Sequence, residues 1–248
     1  MAKPHPGTTR SARPHTRLTE DGHRVREVLS YSRRGARLTE KQHRAWQRRA
    51  DAWVVPEESV EAPGFSWRDV FGRDAPLVVE IGSGSGETAA AYAAAHPEHD
   101  VLALEVWQPG MAELLHRADE VGATNVRVLG LDAVWALGNV FEPGSIHEIW
   151  TFFPDPWPKT RHHKRRIVNA DFAEMVVRAV NPGGVWRLAT DWPPYGEWMR
   201  EVLDAAPGLT GGEVPRWEGR PLTKFERRGI AAERPVVDLA YPVRDSAS

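Results

Sequence analysis

The stretch Leu77-Val78-Val79-Glu80-Ile81-Gly82-Ser83-Gly84-Ser85-Gly86 joins a short apolar run to a turn with three glycines. The apolar run predicts a buried strand over Leu77–Ile81, because such strands are short and bounded by turn residues. The alanine-rich segment Glu87–Ala95 ends before Pro97 and predicts a helix. Glycines between a strand and a helix let the backbone turn tightly and let a ligand approach. This order predicts the first unit of an open α/β sheet with a ligand site at the turn.

The rest of the chain alternates between apolar runs and helical spacing. Further strands are predicted at 101–106, 125–131, 146–153, 185–190 and 236–241, and helices at 109–121, 172–180 and 195–203. Strands separated by helices imply a parallel sheet with helices on both faces. We therefore predict an α/β fold of the Rossmann-like type, with a mostly parallel, twisted sheet.

Charge is distributed unevenly along the 248 residues. Residues 1–50 contain 13 Lys and Arg against 4 Asp and Glu, and the remainder contains 19 against 30, although the net charge is only −2. This asymmetry indicates a basic extension for an anionic partner, or a solvated tail without one. Thr39 and Gln42 predict a capping box for a helix that runs to about Ala52. The predicted organisation is a disordered basic arm at 1–24, a helix and an irregular connection at 25–76, and the main domain at 77–248.

The composition excludes several classes of protein. Cysteine is absent, which excludes disulfides and thiolate metal sites. No apolar run approaches the roughly 20 residues needed to cross a bilayer, and the N-terminus lacks the apolar stretch of a secretory signal. We therefore expect a cytoplasmic protein with no membrane contact and no metal.

Acidic residues occupy the ends of the first three strands of the predicted sheet: Glu80, Glu105 and Asp132. Open α/β sheets bind ligands beyond the carboxyl ends of their strands. Glu105 is placed to accept from ribose hydroxyls, and Asp132 is in reach of an adenine edge. A glycine turn alone is equally compatible with a nicotinamide dinucleotide. A carboxylate at Glu80 would repel a pyrophosphate, however, and suits the amino and sulfonium charges of S-adenosylmethionine. The alternative for each acid is ordinary solvation of a strand end.

A second informative segment is Phe152-Phe153-Pro154-Asp155-Pro156-Trp157-Pro158-Lys159, where the prolines predict a stiff loop. A carboxylate held there can accept from the N1–H and amino group of guanine and leave N7 accessible, and Trp157 offers a face for stacking. The run Arg161-His162-His163-Lys164-Arg165-Arg166 follows and suits phosphates. The alternatives are a packed loop and a solvated charged surface. Adjacent histidines of this kind are more typical of a surface than of a metal site.

The segment Asp191-Trp192-Pro193-Pro194-Tyr195 is similar to the Asp-Pro-Pro-Tyr loop of amino-group methyltransferases. That loop belongs after the fourth strand, whereas this segment follows the fifth and contains the inserted Trp192. We interpret the similarity as coincidental and keep Asp191 as a candidate substrate contact.

The chain resembles the bacterial tRNA (guanine-N7-)-methyltransferase family from about Ser30 to Tyr241. The resemblance rests on Arg33-Arg34-Gly35-Ala36-Arg37-Leu38-Thr39, on the loop 152–159 with the basic run 161–166, and on Thr223-Lys224-Phe225-Glu226. It implies a class I S-adenosylmethionine-dependent methyltransferase that acts on a guanine in the tRNA variable loop, as a monomer or homodimer. Two positions depart from the family pattern: Ser83, where an aromatic residue is frequent, and Trp135, where an acid is frequent.

The resemblance also implies roles for individual residues. Asp155 matches the family's cofactor-contacting and proposed catalytic aspartate. The implied cofactor-binding residues are Glu80, Gly82, Gly84, Gly86, Glu105, Asp132 and Asp155. The implied substrate-binding residues are Lys159, Arg161, His162, His163, Lys164, Arg165, Arg166, Asp191, Thr223, Lys224, Phe225 and Glu226.

Methylation at guanine N7 needs no general base, because N7 has a lone pair and no proton. Alignment and electrostatic stabilisation should then supply the catalysis, with Asp155 orienting the base and stabilising its developing positive charge. Three other functions remain open: methylation of an exocyclic amine or of another nucleic acid, RNA binding without chemistry, and nicotinamide-dependent redox chemistry. The complete set Glu80, Glu105, Asp132 and Asp155 argues against lost activity, and Glu80 argues against a nicotinamide cofactor.

Overall fold

The computed structural model describes residues 16–18, 24–26, 30, 31, 35 and 37–244. Two short strands, β1 (Thr16–Leu18) and β2 (Arg24–Arg26), pair antiparallel with each other, separately from the main sheet. The other residues expected to form the disordered arm at 1–24 lie outside the described residues. Arg33, Arg34 and Ala36 of the predicted N-terminal motif also lie outside them. The expectation for the arm therefore stays a prediction.

The main sheet has eight strands in the order β3-β6-β5-β4-β7-β8-β10-β9. They are β3 (Val54–Val55), β4 (Leu77–Ile81), β5 (Asp100–Leu104), β6 (Val126–Leu129), β7 (Ile146–Phe152), β8 (Val180–Thr190), β9 (Gly212–Val214) and β10 (Val237–Pro242). From β3 to β8 the neighbours run parallel, whereas β10 runs antiparallel to β8 and β9. All five residues of β4 are buried, as expected for a central parallel strand. The predicted mostly parallel sheet is confirmed.

Helices cover both faces of this sheet, which confirms the predicted layering. They are α1 (Glu40–Trp53), α2 (Trp67–Phe71), α3 (Glu87–Ala95), α4 (Gln108–Glu120), α5 (Ala133–Asn139), α6 (Ala170–Ala179), α7 (Pro193–Asp204) and α8 (Lys224–Ala231). One core lies between the sheet and α1, α3 and α4, and the other lies beneath α5, α6 and α7. Val78 contributes to the first core and Val79 to the second, because successive strand residues face opposite sides. No described helix is long and apolar enough to cross a membrane.

The predicted capping box at the start of α1 is present. Thr39 Oγ1 accepts from the Gln42 N–H at 3.3 Å, and Gln42 Oε1 accepts from the Thr39 N–H at 2.9 Å. Ion pairs from Arg48 and Arg49 to Asp119 then join α1 to α4. Helix α1 therefore packs against the main domain and is held there by these ion pairs.

Several elements were not predicted from the sequence. The segment 53–76, expected to be irregular, contains β3, a 3-10 turn at Ser59–Glu61 and α2. Strand β8 begins at Val180, five residues earlier than expected. Its pairing with β7 shifts register between Ile146 and Glu148, because β8 has extra residues opposite this step. Helices α5 and α8 and strand β9 were also missed. They are 7, 8 and 3 residues long, too short to show a clear periodicity.

Candidate functional site

The glycine turn between β4 and α3 has the backbone that the sequence predicted. Gly82, Gly84 and Gly86 have φ angles of 68°, 57° and 69°, a region that other residues rarely adopt. At Gly86 a side chain would also collide with Leu114 of α4. At Gly82 and Gly84 a Cβ would meet no atom within 4 Å. The turn therefore packs closely on one side and leaves its first two glycines open to a ligand.

Glu80 is buried at the carboxyl end of β4, 4% exposed. Its Oε2 accepts from the Ala89 N–H in the first turn of α3 at 3.0 Å. The pKa of this carboxyl is raised from its ordinary 4.5 to about 8, mainly by burial; the hydrogen bond from Ala89 opposes this shift, and the nearby Glu105 charge adds to it. At neutral pH Glu80 is therefore largely protonated, and a cation placed beside it would favour the ionised form.

Glu105 connects two segments beyond the end of β5. One carboxylate oxygen accepts from the Gly84 N–H and the other from the Trp107 N–H, both at 2.7 Å. The Trp107 indole in turn donates to the Gly35 carbonyl at 2.7 Å. Glu105 thus fixes the glycine turn to the start of α4.

Asp132 lies at the same edge of the sheet, after β6, and is the N-cap of α5. One of its oxygens accepts from the Val134 and Trp135 N–H groups at 3.0 and 3.2 Å. This structural role was not predicted, and it orients the carboxylate at the helix N-terminus. Trp135, the position where the family frequently has an acid, contributes its backbone N–H to this cap.

The loop after β7 has two non-glycine residues with positive φ, Phe153 at 51° and Trp157 at 46°. The Phe153 N–H donates to the Ala189 carbonyl at 2.7 Å, and the Trp157 indole donates to the Ser30 carbonyl at 3.0 Å. The backbone is thus held in an unfavourable region by contacts at both ends of the loop, which is typical of functional loops.

Asp155 lies half-buried within this loop, on the side of Tyr195. Burial raises the pKa of the Tyr195 phenol well above its ordinary range, and the Asp155 charge adds to the shift. The Tyr195 hydroxyl accepts from the Val168 N–H at 3.3 Å. Tyr195 is therefore a neutral, fixed neighbour of the candidate catalytic carboxylate.

The basic run forms a 3-10 helix, Thr160–Arg165, and its cations have different surroundings. Lys159, Arg161 and Lys164 are exposed. Arg165 donates to the Tyr31 carbonyl at 2.8 Å and lies 3.4 Å from the centre of the Trp157 ring. Exposed cations are available to phosphates, whereas Arg165 also holds the loop against the segment that precedes α1.

Arg166 is the exception in this run, because it is only 4% exposed. Its guanidinium donates to the Pro156 carbonyl at 3.0 Å and lies over the rings of Tyr195 and Trp198 at 4.8 and 5.2 Å. The expected phosphate contact does not fit this burial. Arg166 instead supports the loop that contains Asp155.

The segment 223–226 begins α8 and joins the two sides of the site. Thr223 caps the helix, with its Oγ1 accepting from the Glu226 N–H at 3.1 Å. The Lys224 N–H donates to Glu87 of α3 at 2.6 Å, and the Phe225 ring lies 5.1 Å from that of Phe153. These contacts place the segment between the glycine turn and the Asp155 loop.

Glu226 and Asp191 have protein partners that the sequence did not reveal. Glu226 is 1% exposed and paired with Arg216 and Arg220, so a direct substrate contact does not fit its position. Asp191 is paired with Arg234 at 2.5 Å, near the exposed Phe225. Arg216, Arg220 and Arg234 gave no signal in the sequence, because they are isolated arginines in a polar segment.

The burial of Glu80 predicts a pH-dependent stability. Between about pH 5 and 8 the folded protein keeps the Glu80 proton while the unfolded chain has lost it, so stability falls as the pH rises. Glu80→Gln removes this loss. We measure the free energy of unfolding in urea for both proteins. The difference, variant minus wild type, should increase by about 1.4 kcal/mol for each pH unit across this window.

The exposed Glu142→Gln is the matched control, and its unfolding should follow the wild type at each pH. Parallel curves for Glu80→Gln and the wild type would show that Glu80 is already ionised in the folded protein.

Comparisons with known proteins agree with this geometry. Residues 74–239 match a family described as putative methyltransferase. The chain is 56% identical over 242 residues to the tRNA (guanine-N(7)-)-methyltransferase of Nocardioides sp., covering 98% of each chain. It is 46% identical to the protein of the same name from Cutibacterium acnes, covering 89% of this chain and 85% of that one.

Among solved structures, the 16S rRNA methyltransferase KamB is similar in fold, with a TM-score of 0.54 at 18% identity over 72% of this chain and 93% of that chain. This likeness confirms the class I methyltransferase fold. The identity to the relatives and the length that it covers show that the chain belongs to the tRNA (guanine-N(7)-)-methyltransferase family.

Proposed function

We propose that the chain transfers the methyl group of S-adenosylmethionine to N7 of a guanine in the variable loop of tRNA. The reaction and the cofactor follow from the family to which the chain belongs. The variable loop is proposed from the resemblance to the family, and the roles of individual residues are proposed from the site. The observation that most favours these roles is the position of 223–226, in contact with α3 on one side and with the Asp155 loop on the other. A tRNA substrate also fits the expected cytoplasmic location.

The residues at the glycine turn fit S-adenosylmethionine. The space beside Gly82 and Gly84 admits the ligand, and buried Glu80 suits its cationic amino end. Glu105 and Asp132 would accept from the ribose hydroxyls and the adenine edge. When bound, the cofactor supplies a methyl group activated by the sulfonium charge. The chain's own residues would fix its position, since both oxygens of Glu105 are already held by backbone N–H groups.

Asp155 would orient the guanine and stabilise its charge. In this arrangement the carboxylate accepts from guanine donors, and no proton needs to be removed from N7. Arg166 and Tyr195 would act through Asp155, because they pack against its loop and fix it. Preorganised groups of this kind lower the barrier because they need not reorient during the reaction.

The remaining substrate contacts would come from the opposite side of the site. Phe225 is 47% exposed beside Phe153 and offers an aromatic face to a base or ribose. Asp191 could accept from the substrate once Arg234 turns towards an RNA phosphate. Lys159, Arg161 and Lys164 would contact the backbone, assisted by His162, His163 and Arg165.

The proposal is tested by product analysis. Unmodified tRNA is incubated with the protein and S-adenosylmethionine, digested with a ribonuclease, and the fragments are identified by mass spectrometry. We expect 7-methylguanosine in the fragment from the variable loop. A methylated exocyclic amine would contradict the proposed chemistry, and 7-methylguanosine elsewhere would contradict the proposed site.

The proposed role of Asp155 predicts a kinetic effect. Asp155→Asn keeps the shape of the side chain and removes its charge, so kcat should fall by about 100-fold, the typical effect of losing one preorganised electrostatic group. Single-turnover methylation of tRNA measures this rate. The exposed Asp171→Asn is the control and should keep the wild-type rate. Near-normal turnover of Asp155→Asn would remove Asp155 from the catalytic site.

The exposed cations of the basic run predict a change in salt dependence. Arg161→Ala combined with Lys164→Ala should raise the KM for tRNA and flatten the plot of log K against log salt by up to about two units, because two phosphate contacts are lost. Arg68→Ala is the control, since Arg68 is exposed on α2, away from the loop after β7. An unchanged slope in the double variant would make the run a solvated surface.

A further inference from the structure

Two histidines and a glutamate meet in the loop between α3 and β5. We propose that His96, Glu98 and His99 form a binding site for one divalent transition metal of the Zn²⁺ type. One ligand atom from each side chain lies within 4.8 Å of the other two. The loop leads into the amino end of β5, at the edge of the sheet opposite to the glycine turn. The site is therefore independent of the proposed methyl transfer.

The spacing requires only a small closure of the three side chains. Zn²⁺ takes ligands at about 2.0–2.1 Å, so neighbouring ligands of a tetrahedral site are about 3.3 Å apart. His96 Nδ1 and Glu98 Oε1 are already 3.0 Å apart. The His96 side chain is 40% exposed and the Glu98 side chain 60% exposed, so both can turn towards the metal without repacking the core.

His99 is oriented as a metal-ligating histidine usually is. Its Nδ1 lies 2.9 Å from the Tyr92 hydroxyl, and the tautomer that donates this hydrogen bond leaves the Nε2 lone pair for a metal. The Tyr92 hydroxyl thus fixes the ring of His99 through the nitrogen that a metal would not use.

The backbone of the loop is fixed independently of the side chains. Asn125 donates from Nδ2 to the carbonyls of His96 and His99 at 3.0 and 2.7 Å. Arg73 donates to the same His99 carbonyl at 2.7 Å. Because the backbone of the loop is already fixed, little conformational entropy is lost when the loop binds a metal. This preorganisation favours binding.

The donor set selects the class of metal. Two imidazoles and one carboxylate suit Zn²⁺, Ni²⁺ or Cu²⁺, whereas Mg²⁺ and Ca²⁺ prefer oxygen ligands. Water can complete the coordination, and the His147 ring lies 5.6 Å from that of His99. This site differs from the expectation of no metal, which rested on the absence of cysteine and on the adjacent His162 and His163.

The site is tested by calorimetric titration of the full chain, treated with chelator, with Zn²⁺. We expect one ion per chain, with at least tenfold weaker binding in His99→Ala and in Glu98→Gln. Tyr92→Phe, which keeps the ring and removes the hydroxyl, should weaken binding by about tenfold, since partners of ligating histidines typically contribute 10- to 100-fold in affinity. Mg²⁺ should not compete.

His116→Ala is the matched control, because His116 also faces a carboxylate, Glu120, at 3.0 Å, but on α4. Binding of Zn²⁺ should survive this change. The proposal is overturned if the chain binds no Zn²⁺, or if His116→Ala weakens binding as much as His99→Ala does. Glu98 is exposed, so Glu98→Gln folds as the wild type does and decides the question should His99→Ala fail to fold.

Discussion

The Glu105 carboxylate is the contact on which the geometry of the site depends. The ends of β4 and β5 are neighbours in the sheet, and the Gly82 N–H still donates to Leu104 of β5, but the Gly84 and Trp107 N–H groups lie beyond the strand pairing. Glu105 accepts one backbone N–H from each turn and satisfies two donors that the strands cannot. Charge-assisted bonds of this kind are worth about 1.5–3 kcal/mol each. The same carboxylate therefore shapes the turn and remains at the edge where a ribose would lie.

A buried charge network plays the corresponding role on the other side of the site. Arg220 is fully buried between Glu226 and Asp238 and joins the start of α8 to β10. Removing one member of such a network typically costs about 3–5 kcal/mol, because a charge is left without its partner. Glu226 thus fixes the start of α8, which carries the proposed substrate contacts Thr223 and Phe225. A family motif can contain such a residue without its touching the substrate.

Much of this arrangement could be predicted from the sequence. The five predicted parallel strands, the glycine turn and the cap at Thr39 depend on local periodicity and turn chemistry, which a single sequence displays. The roles of Arg166 and Glu226 could not be predicted in this way. A charged residue in a basic run or polar motif has the same local signature whether it is solvated or buried. Its burial depends on partners elsewhere in the chain, such as Tyr195 for Arg166 and Arg216 for Glu226. Asp132 shows a third case, since its cap belongs to a helix too short to be recognised.

The fold places the acidic and the basic segments of the sequence next to each other. Acidic residues surround the edge where a cationic cofactor would bind, and the exposed cations follow the neighbouring loop. The carbonyls of Ser30 and Tyr31, at the end of the basic N-terminal region, accept from Trp157 and Arg165. Ser30 and Tyr31 therefore lie against the second basic segment, although more than 120 residues separate them from it. A net charge of −2 thus conceals exposed cations in the loop after β7, near the edge of the sheet that carries Glu80, Glu105 and Asp132, an arrangement that the proposed RNA and cofactor ligands would require. The proposed reaction needs cations for the RNA and carboxylates for the cofactor in one site. These charges lie on different segments of the chain, and the fold brings the segments together.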